Sequence, residues 1–105
     1  MLVKKIYEST KSFPQNEIYG LTSQMRRAAV SVPANIAEGA ARTTTKEFVH
    51  FLSIARGSLS ELDTYVVISK ELGYLSEIAE IEALIDRVFG LVGGLINSER
   101  RVTAK

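Results

Sequence analysis

The chain of 105 residues has no cysteine and no tryptophan, only two prolines and a single histidine. Without cysteine it can form neither a disulfide framework nor a thiolate metal site. Lys and Arg number 13 against 12 Asp and Glu, a formal net charge of +1. The large basic excess of a dedicated nonspecific nucleic-acid binder is therefore missing, so any contact with RNA or DNA needs a local patch of positive charge.

Long apolar runs and targeting signals are also missing from the sequence. Charge follows Met1 almost at once at Lys4 and Lys5, which does not fit a signal peptide. The longest apolar run, 88–96, is too short to cross a bilayer. With 46% hydrophobic residues, we expect residues 1–105 to form a single folded domain, located in the cytoplasm and without a membrane partner.

Apolar residues recur every three or four positions in four segments, and no alternating strand pattern competes with this helical spacing. The first helix is expected over residues 2 to about 12, and the second from Pro14 or Glu17 to about Ala41. The predicted core seams are Ile18, Leu21, Met25, Ala29, Val32 and Ile36 in the second helix, Phe48, Leu52, Ala55, Leu59, Leu62 and Val66 in the third, and Ile78, Ile81, Ile85, Val88, Val92 and Leu95 in the fourth.

Local signals set the helix boundaries. Thr44 followed by Glu47 is a capping box that opens the third helix, Gly73 ends it with a left-handed residue, and Ser76 is expected to cap the fourth. Pro33 predicts a kink near Ala29 to Pro33 without a chain reversal. Residues 98–105 are expected to be a frayed tail. Short connections predict an all-α, antiparallel up-down-up-down four-helix bundle with a Pro-kinked second helix.

The second helix carries three distinct faces on a wheel of 100° per residue. Besides the apolar seam, a stripe roughly 60° wide is polar. A third face of small residues suggests close approach of another helix and hence contact between copies of the chain. The stripe comprises Gln24, Arg27, Ser31, Asn35, Glu38 and Arg42, and the small-residue face comprises Ser23, Val30, Ala34, Ala37 and Ala41.

The polar stripe is interpreted as a hydrogen-bond network, with a solvated helix face as the alternative. On the third helix, Ser58 and Glu61 share a sector with apolar side chains and are expected to point inward or into an interface. A buried Glu61 needs a cation, for which Arg27 is the first choice and Arg26 or Arg42 the alternatives. The predicted structural network is Gln24, Arg27, Ser31, Asn35, Glu38, Ser58 and Glu61.

Motifs for catalysis or cofactor binding are weak. Glu47 and His50 have the Glu-x-x-His spacing of di-iron bundles, but one histidine cannot complete such a site within one subunit. We predict no catalytic residue, metal or cofactor, and no small-molecule substrate. Gly90 and Gly94 give a GxxxG spacing that indicates close packing or a fraying helix end.

The basic residues have two interpretations, a patch formed by assembly or charges dispersed over helix surfaces. The residues concerned are Arg26, Arg27, Arg42, Lys46, Arg100, Arg101 and Lys105. Arg26, Arg27 and Arg42 are the candidates for nucleic-acid contact. If Arg27 is buried with Glu61, Arg26 and Arg42 carry that contact alone.

About two thirds of the chain resembles the four-helix-bundle proteins known as 23S ribosomal RNA intervening-sequence proteins. The resemblance is carried by Phe13, Pro14, Glu17, the run YGLTSQMRRAAVSVPANIAEG from Tyr19 to Gly39, Arg42, FLSIARGSLSELDT from Phe51 to Thr64, and Leu72, Gly73 and Tyr74. It implies a four-helix bundle and, for relatives, a five-fold barrel-shaped ring. A related branch, the accessory proteins of diversity-generating retroelements, binds nucleic acid and engages a reverse transcriptase.

Two features depart from these relatives. Family members usually carry a further segment before the part matching Met1 to Tyr7, so a shortened first helix and a gap in its packing are expected here. The retroelement branch is strongly basic, whereas this chain is near neutral. We predict a non-enzymatic homo-oligomer, pentameric by resemblance, that acts as an interaction or scaffold protein with RNA or a ribonucleoprotein. The alternatives are a metal-dependent enzyme across a subunit interface and a purely protein-binding partner.

Overall fold

The computed structural model describes residues 1–104, with side chains through Val102. Four α-helices make up most of this part of the chain: α1 (Leu2–Thr10), α2 (Leu21–Ala40), α3 (Thr45–Glu71) and α4 (Ala79–Ala104). A short 3-10 helix, Gln15–Glu17, lies between α1 and α2. The described residues contain no strand, which confirms the all-α prediction.

The helices pack around one elongated core. Each helix packs against its neighbours in the chain, and α1 also packs against α4, which is the arrangement of a four-helix bundle. Met25 contacts Ser69 and Ser31 contacts Ser58. Residue numbers therefore rise along α2 as they fall along α3, so these two helices run antiparallel. None of the helices in the described part is both long and apolar enough to span a membrane.

The predicted core seams are largely confirmed. The α3 seam is buried from Leu52 to Val66, and Met25, Ala29 and Val32 are buried on α2. Two predicted core residues are wrong. Ile18 is 47% exposed because it precedes α2, and Leu95 is 39% exposed while Ile96 is fully buried in its place. Leu95 lies on the side of α4 that faces α1, beyond the end of that short helix.

Pro33 lies inside α2, which continues from Leu21 to Ala40 without a chain reversal. The kink that Pro33 predicts stays a prediction. At the other end of the chain, residues 98–104 belong to α4, so the tail expected there is helical. Ile96 is fully buried just before it, and Glu99, Arg100 and Arg101 have high helix propensity. Lys105 lies outside the described residues.

Two of the three predicted caps are confirmed. The Thr44 hydroxyl accepts a hydrogen bond from the Glu47 backbone N–H at 3.1 Å. Gly73 has a φ of 80°, which a side chain would strain, and its N–H bonds the Lys70 carbonyl at 3.0 Å. The prediction for Ser76 is wrong, because α4 begins only at Ala79, whose N–H is bound by a Glu77 side-chain oxygen at 2.8 Å.

The connection before α2 is held by Glu17. One of its carboxylate oxygens accepts a hydrogen bond from the Tyr74 hydroxyl at 3.0 Å, and the other accepts one from the Leu21 backbone N–H at 3.3 Å. This hydrogen bond with Glu17 raises the pKa of Tyr74. The Phe13 ring is buried and lies 5.4 Å from the Tyr74 ring. Glu17 therefore joins the start of α2 to the turn between α3 and α4.

Gly39 lies at a tight contact between α2 and α3. A Cβ atom on Gly39 would lie 2.7 Å from the Phe51 Cβ and 3.0 Å from the Phe48 ring. The Phe51 Cβ is fixed to its backbone, so the helices would have to separate to make room. Glycine at this position is therefore a packing requirement.

The change Gly39→Ala is expected to lower the free energy of unfolding by about 1–3 kcal/mol, because overpacking outweighs the gain in helix propensity. Urea unfolding measures it. Gly57→Ala in α3 is the matched control, since nothing lies within 4 Å of its added Cβ, and it should stabilise by about 1 kcal/mol. A stabilised Gly39→Ala would contradict this account.

A pair of carboxyl groups lies between α3 and α4. The Asp63 Oδ1 atom is buried and has no hydrogen-bond partner. When Glu82 is protonated, its carboxyl group donates a hydrogen bond to the Asp63 carboxylate. The hydrogen bond to Asp63, burial, and the negative charges of Asp63 and Asp86 raise the pKa of Glu82 from 4.5 to about 7, against an opposing effect of Lys70. Sequence periodicity gave no sign of this pair.

Because the folded state holds the Glu82 proton more tightly than the unfolded chain, stability should fall as pH rises from about 4.5 through about 7. The change Glu82→Gln keeps a neutral side chain. It should raise the melting temperature over wild type at pH 8, and much less at pH 5. Exposed Glu71→Gln is the control. An equal effect of Glu82→Gln at both pH values would refute the linkage.

Candidate nucleic-acid interface

The middle of the α2 polar stripe forms a small hydrogen-bond network with α3. The Ser31 and Ser58 hydroxyls are 2.8 Å apart. The Asn35 side-chain amide donates to the Ser31 carbonyl at 2.8 Å and to the Ser31 hydroxyl at 2.9 Å. All three side chains are half-buried. This part of the stripe therefore fixes the two helices against each other, as predicted for a structural network.

The predicted ion pair between Glu61 and Arg27 does not form in the single chain. Glu61 and Arg27 are both exposed, and no ion pair joins them among the described residues. They border an open groove of about 350 Å³ between α2 and α3, together with Gln24 and Ser58. The wheel gives the direction of Glu61 correctly, but no third helix of the described residues covers that direction, so the carboxylate is exposed in the single chain. Gln24 is likewise exposed.

Arg26 is a structural residue that ties α2 to α1. Its Nε donates to the Thr10 hydroxyl at 2.9 Å, and a terminal nitrogen donates to the Tyr7 carbonyl at 3.4 Å. The guanidinium carbon lies 4.7 Å from the centre of the Tyr7 ring, in a cation–π contact. The Thr10 hydroxyl in turn donates to the Ile6 carbonyl at 2.8 Å. Two of the five N–H donors of Arg26 are therefore used within its own chain.

Arg42 is also engaged within the chain, at the turn from α2 to α3. It forms an ion pair with Glu38 one turn earlier and lies 3.8 Å from a Glu47 oxygen. Its guanidinium carbon is 4.9 Å from the centre of the Phe51 ring. Glu38, which belongs to the predicted network, is therefore paired with Arg42. Both acidic partners reduce the attraction of Arg42 for a phosphate.

Arg27 alone of the three candidate arginines is exposed without an ion-pair partner in the described part of the chain. It borders a second, larger groove of about 510 Å³ between α1 and α2. The groove offers hydroxyl groups, the Tyr7 ring and two apolar side chains. Its lining residues are Tyr7, Ile18, Thr22, Ser23, Arg26, Arg27, Val30 and Ser31. The structure thus brings Arg26 and Arg27 together and leaves Arg42 at the far end of α2.

The remaining basic and metal-site candidates do not join this groove. Lys46, Arg100 and Arg101 are exposed at the start of α3 and near the end of α4, and Lys105 lies outside the described residues. His50 is exposed with its ring edge against Phe51. Within the described residues, no group of three or more His, Cys, Asp or Glu side chains is placed to hold a metal ion.

The contacts of Arg26 predict that its loss lowers the stability of the protein more than the loss of the neighbouring Arg27. Arg26→Ala should lower the free energy of unfolding by about 1–2 kcal/mol, because charged hydrogen bonds to α1 are lost. Hydrogen exchange of the α1 amides should speed up in this variant. Arg27→Ala is the matched control and should stay within about 0.5 kcal/mol of wild type. Equal effects of the two changes would contradict the assigned roles.

Comparison with known protein families gives a match that spans most of this fold. The sequence model of the 23S rRNA-intervening sequence protein family matches residues 1–94, which include α1, α2, α3 and most of α4. A search of curated proteins finds no match. Because the family match covers most of the chain, including both grooves beside Arg27, the chain belongs to the 23S rRNA-intervening sequence protein family.

Proposed function

We propose that this protein is a non-enzymatic, homo-oligomeric scaffold that contacts RNA, alone or in a ribonucleoprotein, through the groove between α1 and α2. The observation that carries the proposal is the exposed guanidinium of Arg27 beside that groove, without an acidic partner in the described residues. The family description links these proteins to ribosomal RNA, which favours an RNA-related role.

The chemistry of the groove suits a single RNA strand. A guanidinium presents several N–H donors to phosphate oxygens, and the half-buried Ser23 hydroxyl adds a neutral donor. The Tyr7 side chain is 40% exposed and borders the same groove, where an aromatic ring can contact a base. One free arginine per subunit gives weak binding, so useful affinity requires several subunits to act on one RNA.

Exposed apolar side chains support assembly into an oligomer. Val30 is 42% exposed beside Ala34 and Ala37 on the outer face of α2. Ile54 and Ile68 are 39% and 40% exposed on α3, at helical spacing from Ser58 and Glu61 and so on the same face of that helix. Two different apolar surfaces on one chain favour head-to-tail contacts, which close into a ring when the rotation allows it. We propose the five-fold ring of its relatives as that assembly.

The contacts of Glu47 and His50, the pair with metal-site spacing, support a role without catalysis. Glu47 lies 3.8 Å from Arg42, and the His50 and Phe51 rings are in edge contact, which supports structural contacts for both side chains. Elemental analysis of the purified protein tests the alternative of a metal enzyme built across an interface. A stoichiometric transition metal would favour that alternative.

The RNA contact is tested by titrating single-stranded RNA at several salt concentrations. A pentamer that places five Arg27 side chains on phosphates should give a log–log salt slope of roughly −3.5, at about −0.7 per phosphate. Arg27→Ala should weaken binding at least tenfold at low salt and flatten the slope. Arg56→Ala, which removes an exposed arginine from α3, is the control and should bind like wild type.

Two results would overturn the RNA contact: no binding at low salt, or equal binding by the Arg27→Ala and Arg56→Ala proteins. Light scattering on the same samples measures the assembly independently. A monomer at all concentrations would refute the scaffold. Association with a protein from the same cells after nuclease treatment, in the absence of RNA binding, would support the purely protein-binding alternative.

A further inference from the structure

The groove between α2 and α3 carries two opposite charges that do not pair with each other. Ser31 of α2 and Ser58 of α3 are in contact at its floor. Because these helices run antiparallel, Arg27 and Glu61, each about one turn away, lie at the same level on opposite sides of the groove. Both side chains are exposed, and no ion pair joins them in the described residues. The groove therefore offers a ligand both a cation and an anion.

The rest of the groove is lined by polar or small side chains. Gln24 lies one turn before Arg27 on α2 and is exposed, so its amide is open to a ligand. The floor consists of Ser31, Ser58 and the buried Ala28, which are all small, so a flat molecule can approach the helices closely. The volume of about 350 Å³ lies within the range of small-ligand pockets. The groove thus has the size and the hydrogen-bonding groups to receive one nucleobase.

The carboxylate of Glu61 selects which part of an RNA strand enters the groove. An ionised carboxylate only accepts hydrogen bonds, so it repels a phosphate and attracts a base edge that carries N–H donors. Among the RNA bases, guanine has two adjacent donors on its Watson–Crick edge, the ring N1–H and the N2 amino group. Adenine and cytosine place one amino group beside an acceptor nitrogen, and uracil places its N3–H between two carbonyl oxygens. These three bases therefore set an acceptor against one carboxylate oxygen, whereas guanine satisfies both oxygens.

We propose that the groove between α2 and α3 binds a guanine base of the RNA strand, with Glu61 accepting hydrogen bonds from its N1–H and N2 amino groups. The Gln24 amide donates to the guanine O6 atom, and Arg27 holds a neighbouring phosphate. This inference rests on the proposed function, because Arg27 borders both this groove and the groove between α1 and α2. Phosphate contacts carry no sequence information, so Glu61 is the residue that adds a sequence preference.

The sequence preference is measured by titrating a short oligouridine strand and the same strand with one central guanosine, both at low salt. The wild-type protein should bind the guanosine strand about tenfold more tightly. Inosine lacks the N2 amino group, so replacing the guanosine by inosine should remove most of this difference. Equal binding of the guanosine and uridine strands, with both weakened by Arg27→Ala, would overturn the guanine site and leave the proposed function intact. No binding of either strand would overturn both.

The change Glu61→Gln separates base recognition from charge. It replaces one acceptor by an amide donor that opposes the guanine N2 amino group, so the guanosine preference should be lost. Binding of plain oligouridine should strengthen slightly, because a negative charge near the phosphates is removed. Glu71→Gln, which removes another exposed carboxylate from α3, is the matched control and should keep the preference. An equal guanosine preference in the two variants would refute the role of Glu61.

Two further measurements identify what occupies the groove. Guanosine monophosphate should bind more weakly than the guanosine strand, because it lacks the remaining contacts of the RNA. If it binds as tightly as the strand, the guanine contact is supported and the RNA strand is overturned as its source. Light scattering of Glu61→Gln should give the wild-type mass. A smaller mass would indicate that another copy of the chain covers the groove, and it would overturn the proposal.

Discussion

The close contact between α2 and α3 is the constraint on which the remaining structure depends. It is possible because small residues lie between the helices: Gly39 meets the Phe48 and Phe51 side chains, and Ser31 meets Ser58. The contact also fixes the register of α2, and so the direction of the polar stripe. Glu17 then joins the entry of α2 to the exit of α3 through Tyr74, so both ends of the helix pair are tied.

Much of the fold could be predicted from the sequence, because burial and capping are local properties. The α3 seam repeats at the helical period and is buried, and Thr44 and Gly73 carry their signals in their own side chains or backbone. The prediction that Ser76 caps α4 was wrong, because it depends on the length of the turn before that helix. The chain after Gly73 is irregular until α4 begins at Ala79, and sequence spacing alone does not give the length of that turn.

The candidate site was harder to predict, because a helical wheel gives the direction of a side chain and not what covers it. Glu61 points where the wheel places it, yet no helix lies above it, and it is exposed. The Thr10 and Tyr7 partners of Arg26 come from another helix, as does the Asp63 partner of Glu82. Such pairs depend on the register between helices, which no single periodic pattern encodes.

The carboxyl pair between α3 and α4 has a consequence for the charge of the whole molecule. Because its pKa is raised to about 7, Glu82 is protonated in part of the molecules near neutral pH. The formal net charge of +1 counts this group as ionised, and its protonation raises the charge to +2. On a chain so close to neutrality, one proton doubles the net charge, so the net charge of the protein depends on pH near 7.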